Sequence, residues 1–224
     1  MSLTIVSLKS GTDVSRIELS DGSLFSFKDC YLSGAHITDD YAIGSEISAD
    51  EEEAFRFASA CLRAEKRALQ LIARAEQNAF GLSRKLKKRG HEPDCINAVI
   101  ARLCELNLLD DRRYARLWLE SRISRHATSP RRLLAAIRSR GIDRRDAEAA
   151  LKETLDDEAE RQLIERYVQK LRRKGAMSAS AVADGEDGEA NDPAVLQGAN
   201  SAPIRYTLKN EGFSSLAIEI ALDQ

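Results

Sequence analysis

Three glycines constrain this chain more than any other feature. Gly90, Gly141 and Gly212 each close a polar, mostly basic turn: "KLKKRG", "AIRSRG" and "TLKNEG". Apolar residues recur around them in one register. Eight residues before each glycine stand Leu82, Leu133 and Ile204, and four before stand Leu86, Ile137 and Leu208. Six after come Ile96, Ala147 and Ile218, and ten after come Ile100, Leu151 and Leu222. Spacings of four place these side chains on one helical face. The pattern therefore predicts a helix, a left-handed glycine cap and a second amphipathic helix. A longer helical stretch precedes each pair, at about residues 61–77, 111–126 and 157–174. Three helices thus recur three times. Units that bury apolar faces mainly on their neighbours are expected to stack into an elongated, curved rod.

The first 48 residues have a different period. "LTIVSL" and "VSRIELSDGSLFSF" alternate apolar and polar residues, and Asp21-Gly22 is a turn signal between them. A small N-terminal β-hairpin element is expected, packed on something helical because a lone hairpin is marginal. From Asp50 an acidic first turn opens a helical pattern, as the helix dipole favours. The boundaries read as a β-rich element at 1–48 and repeats at 49–106, 107–155 and 156–224. The third repeat is lengthened by "GAMSASAVADGEDGEANDPAVLQGANSAP", about residues 175–203. This stretch lacks apolar periodicity and is read as a flexible acidic loop. The register of the helix after Pro203 favours a loop within the repeat over a domain linker.

Charge is unevenly placed. Residues 1–80 carry 8 Lys/Arg against 13 Asp/Glu, a net of −5. Residues 81–175 carry 24 against 15, a net of +9, and residues 176–224 carry 2 against 8, a net of −6. A basic middle between acidic ends points to an anionic partner for the middle. The acidic loop is a possible internal competitor for it.

The chemistry-bearing residues point away from catalysis. Asp110-Asp111 and Asp156-Asp157 both precede helical patterns, which suits caps better than metal ligands. His36, His91 and His126 stand in unrelated contexts. There is no phosphate-cradling glycine loop and no nucleophile constellation, so neither an enzyme nor a cofactor is expected. Cys30, Cys61, Cys95 and Cys104 form no C-x-x-C pair and are read as reduced thiols. With no membrane-span or signal pattern, a cytoplasmic protein is expected. Tyr114, Leu117 and Trp118 are read as a core stripe, with base stacking or a partner contact as the rival.

The basic residues are the candidate site. Lys87, Lys88 and Arg89 end the second helix of the first repeat. Arg113, Arg122, Arg125, Arg131, Arg132, Arg138 and Arg140 fall in the second repeat, with Arg112, Arg116, Arg144 and Arg145 among them. Helix C-termini favour basic residues for dipole reasons alone. That does not account for Arg131-Arg132 at a helix start, behind Pro130.

These residues bring a family into view. The chain resembles RecX, the regulator of the RecA recombinase. The likeness rests on Leu109-Asp110-Asp111, Tyr114-Ala115, Ser121-Arg122, Pro130-Arg131-Arg132 and Arg140-Gly141-Ile142-Asp143, and on "RALQLIARAEQNAFGLSRKLKKRG" in the first repeat. "RIELSDGSLFSF" and "YAIGSEISADE" are similar to the family's lead-in. The resemblance implies tandem three-helix repeats of helix-turn-helix likeness. It also implies binding to RecA filaments, binding to single- and double-stranded DNA without sequence preference, and inhibition of RecA's ATPase, strand exchange and coprotease activity. A monomer is expected. Two departures stand out: Leu108 after Asn107, where the family often has a glycine two residues before the Asp pair, and the acidic insertion.

Overall fold

The computed structural model describes residues 3–32, 41–182 and 201–222. His36 and residues 183–200 of the acidic insertion lie outside the described residues. The chain is mainly helical and forms two compact units, residues 1–110 and 111–224. No helix among the described residues is long and apolar enough to cross a membrane.

The first unit joins a sheet to three helices. Strands β1 (Leu3–Lys9), β2 (Ser15–Leu19), β3 (Leu24–Phe27) and β4 (Glu46–Ile47) form an antiparallel sheet of order β3-β2-β1-β4. The expected hairpin is β2–β3, with Ile17 opposite Phe25. It is closed by a turn in which Gly22 has φ 84° and the Ser23 N–H donates to Asp21 Oδ1 at 2.9 Å. The sheet is larger than that hairpin, because β1 and β4 extend it on the β2 side.

Helix α1 (Ala49–Ile72) packs on the sheet. Its first turn is held by a capping box in which Ser48 and Glu51 bond reciprocally, satisfying donors that a helix start leaves open. Phe55 is fully buried against Phe27, with ring centroids 5.3 Å apart, and against Tyr41 at 5.2 Å. Helices α2 (Ala79–Lys87) and α3 (Pro93–Glu105) complete this unit. Leu82, Leu86, Ile96 and Val99 from them share its core.

The second unit holds the remaining helices: α4 (Asp111–Arg125), α5 (Pro130–Arg138), α6 (Arg144–Thr154), α7 (Asp157–Val182), α8 (Ser201–Asn210) and α9 (Ser215–Leu222). The second and third repeats share one core. Leu119, Leu133 and Ile137 bury with Leu163, Ile164, Leu208 and Phe213. Full burial of each such side chain is worth about 1.5–3 kcal/mol, so neither repeat keeps its apolar face alone. Helix α7 runs to Val182. Residues 175–182, read from composition as the start of a flexible loop, are therefore helical. The alanines in "GAMSASAV" are strong helix formers and continue a helix already nucleated upstream.

The anchoring glycines adopt the required conformation. Gly90, Gly141 and Gly212 have φ of 79°, 84° and 87°, values that strain a residue bearing a Cβ. The left-handed residue in the α3–α4 turn is Asn107, with φ 54°. Beyond it the Leu108 and Leu109 N–H groups both donate to the Leu103 carbonyl, at 3.0 and 3.1 Å. Asparagine tolerates this region better than other non-glycine residues, so the turn closes without the family's glycine. Cys61 and Cys95 are buried, Cys30 and Cys104 exposed, and all four are free thiols.

Candidate nucleic-acid interface

Helix α5 starts with Pro at its first position, where the missing N–H costs nothing. The start is held by the third repeat: the Arg131 N–H donates to the Glu211 carbonyl at 3.0 Å, and Ser129 Oγ donates to the Glu211 carboxylate. Gly212 sits beside it, and a Cβ there would lie 3.5 Å from Arg131 N. The α8–α9 turn thus docks on the α5 N-terminus. Glu160 of α7 steadies this turn by accepting from the Ser214 N–H and Oγ, each at 2.7 Å.

Beside this docked turn lies a basic pocket of about 290 Å³. Arg122 and Trp118 of α4, Arg132 of α5, and Tyr167 and Lys170 of α7 line it. Lys170 Nζ donates to the Ala127 carbonyl at 2.8 Å and lies 6.0 Å from the Tyr167 ring centroid. Arg132 Nη2 stands 3.8 Å from the Glu211 carboxylate. The Arg140 guanidinium lies over the Trp118 ring, 4.4 Å from its centroid, while its Nη1 donates to the Ala136 carbonyl at 2.9 Å. A cation at this distance is attracted by the ring face. Burial, with the Glu211 charge nearby, pushes the Tyr167 hydroxyl above its ordinary range, and Arg132 opposes the shift. Tyr167 is thus a neutral wall and the cations carry the site's charge.

The predicted basic residues divide. Arg122 and Arg132 line the pocket, and Arg140 covers the ring that helps to line it. Arg131 contributes its backbone to Glu211 and leaves its side chain exposed. Arg125 and Arg138 are exposed in the last turns of α4 and α5, and Arg113 is half-buried at the start of α4. None of these four lines the pocket. Lys87, Lys88 and Arg89 are exposed at the end of α2, in the first unit. Part of the Arg excess is ordinary surface pairing: Arg112 with Glu153, Arg116 with Glu120 and Arg144 with Glu148.

The core-stripe reading of α4 is corrected at one position. Leu117 is 43% exposed, because the buried face is Ala115, Leu119 and Ile123. Tyr114 and Trp118 flank that face and are partly buried. Lys170, Tyr167 and Glu211 were absent from the predicted site. One signal for Lys170 is present in the sequence: Arg166, Lys170 and Arg173 fall at i, i+4 and i+7, one face of α7.

Family comparisons agree with this architecture. The first three-helix domain of RecX matches residues 54–103, and the second matches residues 110–151. The regulatory protein RecX of Treponema pallidum is 37% identical over 133 residues, covering 59% of this chain and 81% of that protein. That of Pseudomonas syringae pv. tomato is 43% identical over 89 residues, 38% of this chain and 55% of that protein. Among solved structures, one titled regulatory protein RecX superposes with a TM-score of 0.68 at 20% identity, covering 99% of this chain and 100% of that one. RecX from Lactobacillus salivarius gives 0.55 at 19% identity, covering 74% and 96%. With two consecutive family domains matched in order, and a relative aligned over most of its length, this chain belongs to the RecX family of regulatory proteins.

Proposed function

We propose that this protein regulates RecA by binding the groove of the RecA–single-stranded-DNA filament, and that it inhibits ATPase, strand exchange and coprotease activity. Family membership supports the partner. The observation that carries the mode of binding is the basic surface of the second unit, where cations from both repeats converge on one pocket. It binds single- and double-stranded DNA through phosphates, without reading sequence. In this reading it acts as a cytoplasmic monomer without catalysis; Arg113, Arg125, Arg131 and Arg138 add contacts from the second unit, and Lys87, Lys88 and Arg89 add contacts from the first.

The test is RecA's single-stranded-DNA-dependent ATPase, titrated with this protein far below the RecA concentration. Inhibition at a small fraction of RecA supports filament binding. An unchanged rate, with DNA binding intact, retires the RecA reading. It would leave the second reading, a general DNA-binding repeat module, which the aromatic and basic lining of the pocket favours. DNA affinity should fall steeply with salt, with a log–log slope of about −0.7 per phosphate contact on a single strand.

A further inference from the structure

We propose that the Trp118–Arg122–Arg132–Lys170 pocket is a nucleotide subsite, taking one phosphodiester of a single DNA strand with its sugar and base against the Trp118 side. The resident Glu211 carboxylate competes for it. This rests on the DNA-binding reading above and narrows it to one place and one ligand.

The cations point to a phosphate. They come from three helices of two repeats and face one cavity. Among the described residues the one carboxylate paired with them there, Glu211, reaches Arg132 at 3.8 Å, well beyond the roughly 2.7–2.9 Å of a charge-assisted hydrogen bond. The Arg132 side chain is 65% exposed, so its planar fork can meet an anion from solvent. Lys170 gives one N–H to Ala127, and an ammonium has three donors. Its position is thereby fixed while its charge still faces the pocket.

Size and lining argue for one nucleotide of a single strand. A volume of about 290 Å³ lies at the small end of ligand pockets, which run from about 300 to 1,000 Å³. It holds one nucleotide unit and cannot admit a duplex. An acidic protein side chain would satisfy the cations but make no use of Trp118, which lines the cavity wall with Arg140 over one face of its ring, while Tyr167 is 4% exposed and offers no stacking face. Bases stack on aromatic side chains such as Trp118 without regard to sequence. Glu211 belongs to the turn that docks the third repeat on α5. Its carboxylate therefore sets the pocket's affinity, and a bound phosphate must share Arg132 with it.

Trp118 is the chain's single tryptophan, so its emission reports on this pocket. The experiment adds oligothymidylate to the full-length protein, with anisotropy of a fluorescein-labelled copy giving affinity and Trp118 emission giving occupancy. Binding should quench Trp118. Lys170→Ala should weaken binding and reduce the salt slope by about 0.7, and Arg132→Lys, which keeps the charge but loses the fork, should also weaken it. Glu211→Gln keeps an acceptor for Ser129 and should tighten binding about threefold, as expected for one partly screened repulsion. Glu148→Gln, the same charge change on exposed α6, should do less.

If oligothymidylate binds while Trp118 emission and the Lys170→Ala slope stay unchanged, the subsite is refuted and the DNA-binding reading stands. Absence of any anisotropy change at low salt refutes both. If Lys170→Ala spares DNA affinity but relieves inhibition of RecA, the pocket takes a protein carboxylate and the nucleotide assignment fails. Equal tightening by Glu211→Gln and Glu148→Gln refutes the role given to Glu211.

Discussion

Replacing Glu160 tests whether the α8–α9 turn that docks on α5 is held in place from within the third repeat by the contacts described above. Glu160 is 8% exposed and accepts from the Ser214 N–H and Oγ at 2.7 Å each. Ser214 in turn caps α9 by accepting from the Ala217 N–H at 3.2 Å. A hydrogen bond to a charged group contributes about 1.5–3 kcal/mol, but the groups left behind at Ser214 can recover water because that residue is exposed. Glu160→Ala should therefore cost about 3 kcal/mol, and Glu160→Gln, which keeps one carbonyl acceptor, about 1 kcal/mol. Trp118 emission during urea unfolding reports on the unit that contains it. With a denaturant slope of about 2 kcal/mol per molar, the midpoint should fall by about 1.5 M for the alanine variant and about 0.5 M for glutamine. A shift below about 0.3 M for Glu160→Ala would show that these bonds do not hold the α8–α9 turn, and the account of how Glu211 is placed against α5 would fail with it.

Three further outcomes are expected. Phe55→Ala removes the ring that Phe25, Phe27 and Tyr41 surround and should cost about 3–5 kcal/mol; buried Cys61 and Cys95 should then react faster with a thiol reagent under native conditions. Gly141→Ala forces a Cβ into φ 84° and should lower stability by about 1–2 kcal/mol, read as a lower Tm, whereas alanine at Ser139 should leave the Tm nearly unchanged. The capping box gives a pH signature: hydrogen bonds from the Ser48 backbone and then its side chain hold the Glu51 carboxyl below its ordinary value of 4.5. Its contribution is therefore present above that value and is lost as pH falls through the lower folded one. Ser48→Ala should destabilise by about 1 kcal/mol near neutral pH, and the gap from the parent protein should narrow as pH falls below the ordinary carboxyl value of 4.5, measured by chemical denaturation on both sides of that value.

The repeat was legible because its signals are local. Leu86, Ile137 and Leu208 occupy the same register position, and all three are fully buried. Glycines four residues later take the left-handed caps that their turns require. The alternation at β2 and β3 likewise predicted their pairing, whereas β4, two residues long, carries too little pattern to read. Helix α7 overran its expected end because composition weighed against order where a helix was already running.

The candidate site was legible only in part, for the same reason. Arg122 and Arg132 drew attention through local charge density. Lys170 and Tyr167 lie 38 and 35 positions beyond Arg132, and Glu211 lies 79 beyond it.

The sequence by itself determined the repeat, the caps, the sheet hairpin and the sign of the charge in the middle of the chain, because each depends on residues within a turn or two of one another. Only the tertiary structure decided which cations face a common cavity, that Trp118 has Arg140 on its ring, and that a glutamate from the third repeat sits against the start of α5. Those arrangements follow from burying the apolar faces of two repeats in one core, which brings together side chains that no local interaction connects.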